Sequence, residues 1–167
     1  YKRQAQGMAI CFNENDVRCM GRDAAGVRGI SLNEGDYVVG AEKMEEGKTL
    51  LTLTENGYGK RTALPEYLRT GPDGEKIPQS RGGKGLKNYN ITPKTGNIAG
   101  CRVVGDNDDV MIIENGGVII RVPAASINVY KRDVQGVIVM RVEEGNKVVS
   151  LERVEQDEEP EAQETQE

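Results

Sequence analysis

The sequence predicts an all-β fold of about three repeated units, each made of about four short antiparallel strands. Three observations lead there. A glycine-led motif recurs at nearly constant intervals, Asn-Gly pairs stand between β-prone runs, and the 167 residues combine 21 glycines with only 4 % aromatics and no tryptophan. Many short strands joined by glycine turns suit that composition better than one large aromatic core.

The first copy of the motif reads Ala25-Gly26-Val27-Arg28-Gly29-Ile30, then Glu34-Gly35-Asp36-Tyr37-Val38-Val39-Gly40. The second reads Lys84-Gly85-Leu86-Lys87-Asn88-Tyr89, then Thr95-Gly96-Asn97-Ile98-Ala99-Gly100. The third reads Gln135-Gly136-Val137-Ile138-Val139-Met140, then Glu144-Gly145-Asn146-Lys147-Val148-Val149-Ser150. The leading glycines stand 59 and 51 residues apart, and the longer interval contains Thr70 to Pro78, whose Pro, Gly and charged content reads as an inserted loop. Without it the period is about 50 residues, the size of a stacking unit that cannot bury its faces alone.

A hairpin precedes each motif. In one unit Lys48 to Thr54 and Tyr58 to Thr62 flank Glu55-Asn56-Gly57; in the next, Asp109 to Ile113 and Val118 to Val122 flank Glu114-Asn115-Gly116-Gly117. Asn-Gly between two β-prone runs is a strong hairpin signal, because both residues tolerate positive φ. Four strands in such a length match a propeller-type blade. The units run roughly over 7–46, 47–104 and 105–154. In the first, Met8 to Phe12 matches only the second hairpin strand, and the chain begins at Tyr1, so earlier blades are expected upstream; three blades do not close a ring. Leu64 to Arg69 and Ala124 to Asn128 read as short helical turns.

The charge divides the chain in two. Seven carboxylates and no basic residue fall between Glu155 and Glu167, and setting them aside lifts the net charge from −5 to +2 for residues 1–154. A mildly basic body with an acidic, unpatterned tail over 155–167 reads as a folded nucleic-acid or anion binder with a disordered appendage. No apolar run reaches the roughly 20 residues that span a bilayer, so no membrane partner is expected and the location reads as cytoplasmic. Cys11, Cys19 and Cys101 form no CxxC pair and read as buried thiols.

Catalytic motifs are hard to find. There is no histidine, which removes Ser-His and Cys-His pairs and the common zinc sites. A phosphate-binding P-loop ending at Gly83-Lys84 would need glycine at Pro78 and Ser or Thr at Gly85, and Gly57-Tyr58-Gly59 lacks the third glycine at Thr62. Asp106, Asp108 and Asp109 would need glycine at Met111 to form an EF-hand loop, so a hairpin turn is the better reading. No metal, cofactor or catalytic residue is expected in this segment.

The run Thr54 to Thr62 with Glu66-Tyr67, the segments Ala25 to Ile30 and Gln135 to Ile138, and the acidic tail together resemble the C-terminal domain of DNA gyrase A. The resemblance covers residues 7 to 154. It implies a β-pinwheel, a propeller relative whose blades exchange strands and whose basic rim bends DNA, with these units as the last three blades. Gln79-Ser80-Arg81-Gly82-Gly83-Lys84-Gly85 is similar to that family's heptapeptide box QRRGGKG, with Ser80 in place of an arginine and the copy in the fifth blade rather than the first.

The resemblance further implies part of an ATP-hydrolysing type II topoisomerase that introduces negative supercoils. Its partners would be double-stranded DNA, the rest of gyrase A, and gyrase B in an A2B2 assembly, with ATP and Mg2+ bound elsewhere. The alternatives are the equivalent domain of topoisomerase IV and a propeller-type protein-interaction module. Glycines let backbone N–H groups approach a phosphate, and arginine and lysine supply the charge. The candidate DNA-binding residues are accordingly Ser80, Arg81, Gly82, Gly83, Lys84 and Lys87, then Arg22 and Arg28, Lys60 and Arg61, and Lys131 and Arg132. No recognition helix and no aromatic stacking platform stands in the sequence, so base-specific readout is not expected.

Overall fold

The computed structural model describes residues 2–155, and nearly all of its regular structure is antiparallel β. The acidic tail expected from residue 155 lies outside the described residues from 156 onward, and Glu155 closes a strand instead. Three blades follow one another. The first contains β1 (Lys2–Gln4), β2 (Met8–Ile10) and β3 (Val38–Ala41). The second contains β4 (Thr49–Thr54) and β5 (Tyr58–Ala63). After a small hairpin of β6 (Arg69–Thr70) and β7 (Lys76–Ile77) come β8 (Leu86–Lys87) and β9 (Ile98–Val104). The third contains β10 (Asp108–Glu114), β11 (Ile119–Pro123), β12 (Val137–Ile138) and β13 (Val148–Glu155).

Three expectations need correction. Cys19 is exposed, and only Cys11 and Cys101 are buried thiols. The first hairpin is complete, because Lys2–Gln4 pairs with β2 through Lys2↔Ile10 and Arg3↔Ala9, so the first unit starts before residue 7. The Thr70 to Pro78 insertion is not an irregular loop but a hairpin with Arg69 opposite Ile77. The two expected turns are present as 3₁₀ segments at Leu64–Tyr67 and Ala124–Ser126, joined by a third at Glu14–Asp16.

The sheets run β3-β1-β2-β8, β12-β5-β4-β9 and β11-β10-β13. The second and third units therefore give their short strands away: β8 adds to the first hairpin through Ala9↔Leu86, and β12 adds to the second through Gly59↔Val137. This exchange welds consecutive blades by backbone hydrogen bonds rather than by side-chain packing alone. A register shift recurs at the end of the first strand of every blade, between Arg3 and Gln4, Leu53 and Thr54, and Ile113 and Glu114. Such bulges increase local twist, as a radial array needs.

The core sits between blades. In β4, Leu51 and Leu53 join a cluster with Val110, Ile112, Val148 and Leu151, whereas Leu50 on the opposite face joins Ala9, Leu64, Tyr67 and Val103. The strand is covered on both faces, which is why Thr-Leu-Leu-Thr-Leu-Thr does not alternate apolar and polar. Tyr67 donates its hydroxyl hydrogen to Asn88 Oδ1, and Asn88 donates to Thr52 Oγ1 at 3.2 Å, whereas the buried Thr62 hydroxyl opposite Leu50 has no hydrogen-bond partner among the described residues.

Candidate nucleic-acid interface

The outer segments of successive blades lie side by side. Gly82 N–H donates to Gly29 O at 2.9 Å, and Ser31 donates its amide to Gly83 O at 2.9 Å and its hydroxyl to Gly82 O at 2.7 Å. Arg81 donates from Nε to Asp16 O at 3.1 Å and from Nη1 to Arg28 O at 2.5 Å. One blade further on, Arg132 Nη1 donates to Lys87 O at 2.9 Å. Residues 28–31, 80–87 and 131–138 thus form one continuous ribbon along the rim.

The ribbon separates the candidate residues into groups. Arg28, Lys84, Lys87 and Lys131 are exposed and make no ion pair among the described residues, so their charge faces solvent. Ser80 and Gly83 are exposed beside them, and Gly82 and Gly85 adopt φ of +86° and +79°. Arg22 is also exposed, with no partner among the described residues. Exposed lysines and arginines on adjacent segments, separated by side-chain-free backbone, can contact successive phosphates of a duplex.

Lys60 and Arg61 do not belong to this surface. They point to opposite faces of β5, and both faces are covered. Lys60 is 0 % exposed, donates from Nζ to Lys131 O at 2.7 Å and Arg132 O at 2.5 Å, and lies 5.2 Å from the centroid of the Tyr89 ring. Arg61 is 6 % exposed, donating from Nε to Ile127 O at 2.7 Å and pairing with Asp106 at 2.5 Å. Their charges brace the interior. Lys60 in particular ties the Lys131-Arg132 loop to the preceding blade.

Burial pushes the Lys60 ammonium down to about 7, with Asp133 opposing that shift and Arg132 reinforcing it. Burial likewise raises the Tyr89 hydroxyl above its ordinary value. Arg121 pairs with Asp109 at 2.6 Å, which leaves it less free than the ribbon cations.

Arg81 and Arg132 take a second role that the sequence reading missed. Each stands four residues before a lead glycine and each donates to a carbonyl two residues after the lead glycine of the preceding unit. The signal is present as Arg-x-x-x-Gly in all three units, at Arg22-Gly26, Arg81-Gly85 and Arg132-Gly136. A guanidinium carries five N–H donors, so Arg81 keeps donors for a phosphate after binding two carbonyls.

Among the described residues no cluster of His, Cys, Asp or Glu could hold a metal ion, and no helix is long and apolar enough to cross a membrane. The family described as "DNA gyrase C-terminal domain, beta-propeller" matches residues 5–43, 48–77, 75–105 and 108–155. The DNA gyrase A protein of Staphylococcus epidermidis is 41 % identical over 152 residues, which is 90 % of this chain and 16 % of that protein. The DNA gyrase A protein of Escherichia coli is 39 % identical over 150 residues, again 90 % and 16 %. A solved DNA gyrase A C-terminal domain superposes with a TM-score of 0.80 at 27 % identity over 91 % of this chain and 49 % of that one. The C-terminal domain of DNA topoisomerase IV also gives 0.80 at 27 % identity, over 92 % of this chain and 46 % of that one.

Proposed function

This chain belongs to the DNA gyrase C-terminal domain family, and we propose on that premise that it holds duplex DNA by its phosphates as a segment of the gyrase A component of a type II topoisomerase. It spans 16 % of the curated relatives it matches, so the whole enzyme's work lies mostly in other parts. In this reading the segment wraps DNA while ATP-dependent strand passage introduces negative supercoils. The remainder of gyrase A and the gyrase B protein are its partners in an A2B2 assembly in the cytoplasm, and no catalytic residue is supplied from here. The observation that carries the DNA role is the ribbon of exposed cations, Arg28, Lys84, Lys87 and Lys131, which make no ion pair among the described residues, on segments from three successive blades.

The equal match to topoisomerase IV supports a second reading, in which the same rim selects DNA without wrapping it tightly. A salt series tests the contact itself. Arg28→Ala/Lys84→Ala/Lys87→Ala should make the slope of log K against log salt for duplex DNA shallower by about 2.7, at about 0.9 per lost phosphate contact. These side chains are exposed, so the melting temperature should stay put. An unchanged slope would remove the ribbon from the interface and favour a protein-interaction module.

A further inference from the structure

The run of cations along the rim breaks off at the third blade, and we infer that Gln135 and Ile138 end the phosphate track there: the duplex is gripped by the first two blades and Lys131, and leaves the rim past that lysine. This rests on the DNA reading of the ribbon and names the residues that set the length of the contact.

The clasps and the strand register fix which rim residues correspond. Arg81 donates to Arg28 O and Arg132 to Lys87 O, and both carbonyls stand two residues past a lead glycine. In the short strands, Leu86 and Lys87 stand opposite Ala9 and Met8, as Val137 and Ile138 stand opposite Gly59 and Tyr58. Arg28, Lys87 and Ile138 therefore occupy one rim position in three successive units. The residue before each lead glycine makes a second such set, Ala25, Lys84 and Gln135.

The first of these positions faces outward in a stacked blade. Arg28 is exposed although the second blade follows it, and Lys87 is exposed although the third follows it. The Lys87 ammonium bonds a neutral partner, Asn90 Oδ1 at 3.0 Å, so its charge is not compensated there. At the same position the third blade presents Ile138, 54 % exposed. Isoleucine offers a phosphate neither charge nor a hydrogen-bond donor, and Gln135 offers a donor without charge. Strand preference does not account for the isoleucine, because β8 pairs in the same register with Lys87 in that place.

The charge along the ribbon follows the same course. Between residues 80 and 87, Arg81, Lys84 and Lys87 meet no carboxylate. Between 131 and 138, Lys131 and Arg132 share the segment with the exposed Asp133, and no cation follows them. The first segment also carries an acid, Asp23, but sets two exposed arginines against it, Arg22 and Arg28. Arg132 is engaged with Lys87 O, and Lys60 of the second blade holds the Lys131 and Arg132 carbonyls at 2.7 and 2.5 Å. Lys131 is thus anchored to the second blade and is the last exposed cation of the ribbon. Past it a duplex would meet an apolar surface that releases no counterions.

Restoring charge at the two positions tests this, with duplex affinity of the 167-residue chain measured across a salt series and a series of duplex lengths. Ile138→Lys and Gln135→Lys should each steepen the slope of log K against log salt by about 0.9, and together by about 1.8. The shortest duplex that gives full affinity should lengthen in the double variant. Ile138→Thr, β-branched and neutral, should leave both readings at the parent's values, and the β-sheet circular dichroism should be the same throughout. Unchanged slopes in the lysine variants would overturn the inference, and so would a steeper slope with no longer duplex, because the parent's duplex would then already cross the third blade. Arg28→Ala/Lys84→Ala/Lys87→Ala in the same series separates the two readings. If it flattens the slope while the lysines do nothing, the DNA reading stands and only the end of the track is misplaced; if it too changes nothing, the DNA reading falls and this inference with it.

Discussion

Gly57→Ala is expected to destabilise the fold by about 4 kcal/mol, whereas Gly117→Ala is expected to cost about 1 kcal/mol. Both glycines close the hairpin of their blade and both have positive φ, +78° and +92°, so the conformational penalty is similar and about 1 kcal/mol for each. The difference is what surrounds them. A Cβ on Gly57 would sit 2.0 Å from Met140 O and 3.0 Å from its carbonyl carbon, atoms that no rotamer change can move aside. Retreat of that backbone would break the bonds from the Val139 and Met140 amides to Gly57 O, at 2.9 and 3.2 Å, and unseat β12 from the second sheet. Gly117 has open space at that position. Urea denaturation of the two variants checks the contrast. Equal losses would mean that backbone conformation alone, not the exchanged strand, makes these turns glycine.

The second large effect is a pH dependence. With its ammonium pushed down to about 7 by burial, Lys60 has released its proton in the folded chain over a range where the unfolded chain, titrating near 10.5, still holds it. Raising the pH from about 7 to about 10 therefore favours folding, by about 1.4 kcal/mol per pH unit. Below about 7 both states are protonated and the full penalty of a buried ammonium is felt. The neutral amine keeps two N–H groups, enough for both the Lys131 and Arg132 carbonyls. Above about 10 the trend should reverse, because the buried Tyr89 hydroxyl holds its proton while the unfolded chain loses it. Stability measured by urea at about pH 7, 8 and 9 should rise in the parent and stay level in Lys60→Met. The same slope in both proteins would assign the titration to another group.

These two effects meet at one place, the junction where the second blade receives the short strand of the third. Gly57, Gly59 and Lys60 belong to a single hairpin, and all three touch the segment between Lys131 and Met140. The loop that carries Lys131 and Arg132 to the rim is thus held by a buried lysine and a pair of crowded glycines. Stability of the junction and presentation of the rim cations are coupled there.

Much of this was legible in the sequence because it depends on local chemistry. The lead glycines Gly26, Gly85 and Gly136, the turns at Gly57 and Gly117, and the strands of the second and third hairpins follow from residues that tolerate positive φ between runs that favour extended backbone. Arg28, Lys84, Lys87 and Lys131 face solvent, as charged side chains beside glycine turns ordinarily do. Strand alternation even placed Lys60 and Arg61 on opposite faces. What alternation does not contain is whether the second face is covered, and here Tyr89 closes one side and Ile127 the other, both from segments well beyond the hairpin itself. For the same reason only the tertiary structure decided that β8 and β12 leave their own units, and that Arg81 and Arg132 clasp a neighbouring unit's backbone. Local residue preferences determined where strands and turns form; the burial of a charge and the partner of a strand were set by segments distant in sequence, whose contacts exist only once the blades are stacked.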